Sequence, residues 1–118
     1  MNKIKTFNYL KHYREKAGFC LKDMARTLGM TPPTLSRVES GIIPPSIETV
    51  IGYHLILDIS LQRLFKEHVY ILIDTCLKNA ETLQDNLLDE KSTTSIHKRL
   101  SMLEIIISRL QELQSEYE

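Results

Sequence analysis

Gly18, Gly29 and Gly41 recur at near-equal intervals, and each closes a run in which apolar residues step by three and four. This punctuation constrains the fold more than any other feature, because glycine readily takes the left-handed conformation that ends a helix. It limits the first half of the chain to short helices. Phe7, Leu10, Tyr13 and Ala17 form one stripe ending at Gly18, and Leu21, Met24, Ala25 and Leu28 form a second ending at Gly29. The stretch Thr31 to Gly41, "TPPTLSRVESG", is the third. After "IIPPS", Ser46 is a good N-cap for a helix through about Leu57, with Ile47, Val50, Ile51 and Leu55 as its inward residues. Ser60 caps a fifth segment that begins "LQRLF". No segment sustains strand alternation between hairpin turns, so the chain reads as all-α.

Beyond Phe65 the pattern changes in kind. Val69, Ile73, Cys76, Ala80, Leu83 and Leu87 step by four and three, the a/d seam of one long helix. The polar stretch "DEKSTTS" interrupts it, with Thr94 or Ser95 as the next N-cap. Ile96, Leu100, Leu103, Ile107 and Leu110 then repeat the seam, with Tyr117 a heptad further on. Two long amphipathic helices with a short polar loop make an antiparallel hairpin. Leu72, Leu77, Leu88, Met102, Ile105, Ile106 and Leu113 widen its apolar stripe beyond one seam. A two-helix hairpin cannot bury so wide a stripe alone, so it packs on a second copy or on the first five helices. The expected division is residues 1–65 and 66–118.

Charge follows the same division. The net charge of zero hides nine basic residues against five acidic ones up to Phe65, and six against ten thereafter. Contact with a polyanion is therefore more plausible for the first part. No apolar run reaches the roughly 18 residues of a membrane span, and "MNKIKTFNYLKHYREK" lacks the apolar block of a signal peptide, so a cytoplasmic protein is expected. Cys20 and Cys76 lie far apart, and His12, His54, His68 and His97 are scattered without ligand spacing. Buried or half-buried thiols in a reducing compartment are expected, with no metal and no cofactor. No nucleophile-base pair, phosphate-cradling loop or carboxylate cluster supports an enzyme.

The two prolines of "TPPTLSRVESG" suit a helix start. With Thr31 as N-cap, Pro32 and Pro33 take the first two helical positions, whose amide hydrogens would have no intrahelical partner. Spacing residues at 100° puts Leu35 and Val38 on one side, with Thr34 at its edge. Pro33, Ser36, Arg37 and Ser40 fall opposite, flanked by Pro32. A short helix whose small residues surround one arginine suits the major groove, where a guanidinium donates two hydrogen bonds to guanine O6 and N7.

The segment from Leu10 to Phe65 resembles the Cro/C1-type helix-turn-helix family of bacterial and phage DNA-binding regulators, also called the XRE family. "LKDMARTLGM" is similar to the first helix of the motif and its turn, "TPPTLSRVESG" to the recognition helix, and "PPSIETV" to the start of the fourth helix. Gly18, Ala25, Gly29, Leu35, Glu39, Gly41 and Pro45 all fall at the family's spacings. The resemblance implies that Ala25 lets the motif helices cross closely and that Gly29 is the turn residue with positive φ. It implies a salt bridge between Arg14 and Glu39, groove-facing roles for Pro32, Pro33, Ser36, Arg37 and Ser40, and a phosphate contact at Thr31. The chain departs from the family at Cys20-Leu21, where a capping serine and a DNA-contacting glutamine are common. Lys22, or Lys3, Lys5 and Lys11, would then supply charge, and reading would rest on Arg37, with thymine-methyl contact from Pro32 or Pro33 as a second source.

These features together predict a transcriptional regulator, a repressor occupying an inverted repeat in double-stranded DNA as a homodimer. The dimer contacts would come from Val69, Ile73, Cys76, Leu83, Leu87, Leu100, Leu103, Ile107 and Leu110. A rival reading is an antitoxin-like or adaptor protein whose hairpin binds a partner protein, with DNA binding serving autoregulation. No membrane association and no small-molecule ligand is implied.

Overall fold

A computed structural model describes residues 8–117; Lys3, Lys5 and Phe7 lie outside the described residues. The described residues form seven helices and no strand: α1 (Leu10–Lys16), α2 (Leu21–Leu28), α3 (Pro32–Glu39), α4 (Ile47–Leu57), α5 (Leu61–Leu64), α6 (Lys66–Leu88) and α7 (Thr94–Tyr117). They divide into two compact units, 1–68 and 69–118. The fold is a five-helix helix-turn-helix domain followed by an antiparallel two-helix hairpin.

In the first unit Leu10, Met24, Ala25, Leu35, Val38, Tyr53 and Leu64 form a fully buried core, with Leu21, Leu28, Met30 and Phe65 among the residues packed around it. Several connections satisfy backbone groups that a helix end leaves over. Across Gly29, at φ 76°, the Met30 amide returns to the Ala25 carbonyl at 2.8 Å, which sets the angle between α2 and α3. Ser46 and Ser60 each accept a hydrogen bond from the backbone amide three residues on, capping α4 and α5. The Tyr9 amide donates to the Leu64 carbonyl at 2.9 Å, and its hydroxyl donates to Glu67.

Two expectations in this unit are corrected. Ala17 is exposed, because α1 ends at Lys16. In α4, Ile47, Ile51 and Leu55 face outward, Val50 is half-buried, and the buried residues are Thr49 and Tyr53. The helix is apolar on more than one face, so periodicity could not say which face packs. Polar partners decide it: Thr49 donates to the Met30 sulfur at 3.4 Å, and the Tyr53 hydroxyl finds Glu39. Gly52 also faces inward, since a Cβ there would come within 2.2 Å of Leu28 Cδ2.

In the second unit Ala80 and Leu87 of α6 meet Ile96 and Leu103 of α7, with Leu100 and Ile107 packed against them. Thr93 Oγ1 accepts from the Ile96 amide at 3.1 Å, so the cap of α7 is Thr93 and not Thr94 or Ser95. At the far end of the pair Gln114 Nε2 donates to Asp74 Oδ1 at 3.3 Å, which fixes the antiparallel register. Along α6 the buried positions are Ile73, Leu77, Ala80 and Leu87, whereas Cys76 and Leu83 are exposed. The seam keeps its four-three step but runs through Leu77, one position beside the predicted line. Val69, Leu100, Ile107 and Leu110 are half-buried. Cys20 is exposed as well, at the N-terminal end of α2, so neither thiol is buried as expected.

Candidate nucleic-acid interface

The site grows from α3. Thr31 is extended at φ −82° and ψ 144°; its hydroxyl oxygen accepts from the Thr34 amide at 3.4 Å and donates to Thr34 Oγ1 at 2.8 Å. Pro32 and Pro33 then occupy the first two helical positions. Leu35 and Val38 enter the core, which leaves Pro33, Ser36, Arg37 and Ser40 exposed together and Pro32 half-buried beside them. Ser40 Oγ donates back to the Ser36 carbonyl at 2.8 Å, so its hydroxyl offers a partner only acceptor capacity while that bond is made. Among the described residues, no ion pair is made by the Arg37 guanidinium. The face is a small, shallow surface with one available fork of donors.

Its orientation is held from behind. Arg14 Nε donates to Glu39 Oε2 at 2.8 Å and Nη2 to Oε1 at 3.0 Å, while Nη1 donates to the Phe19 carbonyl at 2.8 Å. Both side chains are nearly sealed, at 7% and 3% exposure, so the pair is bidentate and desolvated rather than a surface contact. Tyr53 of α4 completes the group, donating to Glu39 Oε2 at 2.5 Å. The last turn of α3 is thus tied to α1 and α4 through one carboxylate. The hydrogen bond to Glu39 raises the Arg14 pKa above its ordinary value. Burial, and then the same carboxylate, raises the Tyr53 phenol. Asn8 adds a fourth tie, donating from Nδ2 to the Val38 carbonyl at 3.1 Å while its Oδ1 accepts from the Leu10 amide.

Tyr53 and Asn8 were not anticipated. A phenol within the apolar run of α4 needs a buried partner, and the Arg14–Glu39 pair was the available one. Asn8, one residue before the N-cap Tyr9 of α1, is of the side-chain type that accepts from amides at a helix start.

Of the other predicted residues, Ala25 is fully buried where α2 meets α3, and Gly29 has the positive φ of the turn. Lys22 is exposed in the first turn of α2 and Lys11 on α1. Leu21 packs against the core, which accounts for an apolar residue at that position. Cys20 takes the N-cap position of α2 and makes no side-chain capping bond. Among the described residues no group of three or more His, Cys, Asp or Glu could hold a metal ion, and no helix is long and apolar enough to cross a membrane.

Residues 10–64, from the first residue of α1 to the last of α5, match a family model described as helix-turn-helix. No curated protein and no solved structure matches the chain.

Proposed function

Residues 10–64 belong to the Cro/C1-type helix-turn-helix family, the XRE family of DNA-binding regulators, and from that membership we propose that the chain is a sequence-specific transcriptional repressor that occupies an inverted-repeat operator as a homodimer. The observation that carries the proposal is the outer face of α3, where Pro33, Ser36, Arg37 and Ser40 lie exposed on a helix braced by a buried ion pair. Arg37 reads guanine, the prolines make apolar contact with thymine methyls, and Thr31 and Lys22 meet phosphates. The region 1–65 carries DNA binding and the region 66–118 carries self-association, in the cytoplasm where the DNA is. Two copies related by a two-fold axis set their α3 helices about 34 Å apart.

The exposed flank of the hairpin supports self-association. Leu72 on α6 and Met102 and Ile105 on α7 each remain more than half exposed, which is apolar surface that a four-helix arrangement would cover. Ile73, Leu87 and Leu103 are occupied within the hairpin, so the dimer contact falls to this flank together with Cys76, Leu83 and the half-buried Val69, Leu100, Ile107 and Leu110. The same flank is the feature that would serve a partner protein in the antitoxin-like reading.

Arg37→Ala tests the proposal. It should weaken binding to the operator by about 1–3 kcal/mol and leave the thermal midpoint unchanged. Unchanged affinity would remove Arg37 from the site, and a partner protein co-purifying in place of a homodimer would favour the antitoxin-like reading.

A further inference from the structure

The C-terminal ends of α1 and α4, together with α5, border a cleft of about 200 Å³ that the reading above does not use. Tyr13, Lys16 and Ala17 line it from the end of α1, Leu57 and Ile59 from the end of α4, and Arg63 from α5. Its floor is apolar and anchored, since Tyr13, Leu57 and Ile59 are half-buried and packed against the core of the first unit. Asp58 lies between Leu57 and Ile59 at φ 55°, and among the described residues no other residue except glycine has a positive φ. This left-handed turn at the end of α4 leaves the residues on both sides of it lining one cleft. His54 Nδ1 holds the turn by donating to the Ile59 carbonyl at 2.8 Å.

Two cations stand beside that floor. Lys16 and Arg63 are exposed, and among the described residues neither makes an ion pair. The Arg63 guanidinium lies over the Tyr13 ring, 5.8 Å from its centre, which keeps its charge at the cleft. Glu15 and Asp58, acidic and adjacent in sequence to lining residues, do not line the cleft themselves. The carbonyl ends of α1 and α4 offset part of the positive charge, so the pull on an anion is modest and apolar burial must add to it. We propose that the cleft binds a small organic anion, a carboxylate carried on one ring or on a short branched chain. The carboxylate meets Lys16 and Arg63, and the apolar body covers Tyr13, Leu57 and Ile59. An inorganic anion would leave the floor wet, and a neutral ring would leave both cations without a partner. The volume sets the size, since it lies below the roughly 300–1,000 Å³ of pockets that take drug-sized ligands. The site belongs to the first unit alone and depends on neither the operator nor the homodimer.

Titration of the isotope-labelled full chain with sodium benzoate and with sodium isovalerate, followed by amide NMR at constant ionic strength, tests it. With at least one probe the amides of the lining residues should shift together and saturate at millimolar concentration. Lys16→Gln and Arg63→Gln should each weaken that binding by about threefold, the effect of losing one exposed ion pair. Ala17→Leu keeps both cations and fills the cleft, and should abolish saturation while the rest of the amide spectrum shows the fold retained. No saturable shift with either probe overturns the site. Inorganic phosphate or benzyl alcohol shifting the same amides with equal affinity also overturns it, because charge alone or apolarity alone would then suffice. Unchanged binding in both glutamine variants, or in a folded Ala17→Leu, places the probe elsewhere and overturns it as well.

Discussion

Glu39 receives three hydrogen bonds, two from Arg14 and one from Tyr53, on a carboxylate that is almost sealed from water. A buried charge is tolerable only while it is paired, so removing either partner costs more than the bond itself is worth. Arg14→Ala should lower unfolding free energy by about 3–5 kcal/mol, measured by denaturant titration, because Glu39 is then left buried without its cation. Tyr53→Phe tests the third member through pH. The Tyr53 phenol is held above the ordinary value of 10, chiefly by burial and then by Glu39. A native value above the unfolded one means that the folded state keeps the proton longer. The stabilisation is therefore whole below about pH 10 and is lost as pH rises beyond it. Wild type should lose stability above pH 10 more steeply than Tyr53→Phe, by up to about 1.4 kcal/mol per pH unit. Equal slopes would mean that Tyr53 titrates as it does in the unfolded chain. At this scale Leu35, Val38 and Arg37 were legible in the sequence, because a two-turn helix has only two sides. Tyr53 was not, because its partner is contributed by another helix.

Helices were readable where their ends are marked chemically and less so where only their faces distinguish them. Ser46, Ser60, Gly29 and the Thr31-Pro32-Pro33 start all bound helices as expected, since a cap satisfies backbone groups whatever the tertiary context. The inward face of α4 was misread, because Ile47, Ile51 and Leu55 are as apolar as the residues that pack. In α6 Ile73, Ala80 and Leu87 are buried on the expected seam, but Leu77 takes the place of Cys76, because the two compete for the same turn and the larger aliphatic side chain is the buried one. The observed burial separates two variants of neighbouring apolar residues on this helix. Ile73→Asp places a charge in the hairpin interior and should unfold the second unit, seen as lost helicity by circular dichroism. Leu72→Asp, one residue away and exposed, should keep the helicity and weaken the dimer under light scattering. Loss of helicity in both would place Leu72 in the interior.

The whole molecule sorts its charge as it sorts its units. The surplus of basic residues lies in the region that carries α3 and the surplus of acidic ones in the hairpin, so a polyanion is attracted to one region and repelled by the other. A modest basic surplus makes non-specific binding weak, and affinity should fall linearly with salt on a log-log scale as counterions are released. In the proposed homodimer, specificity would depend on two α3 helices acting together, each copy reading one half of the site. Selection of bound sequences from random duplex DNA by the full chain tests this most directly. The expected result is enrichment of an inverted repeat whose half-site centres lie about 10 base pairs apart. A bound pool indistinguishable from the input, or one enriched only in a lone half-site, would contradict it.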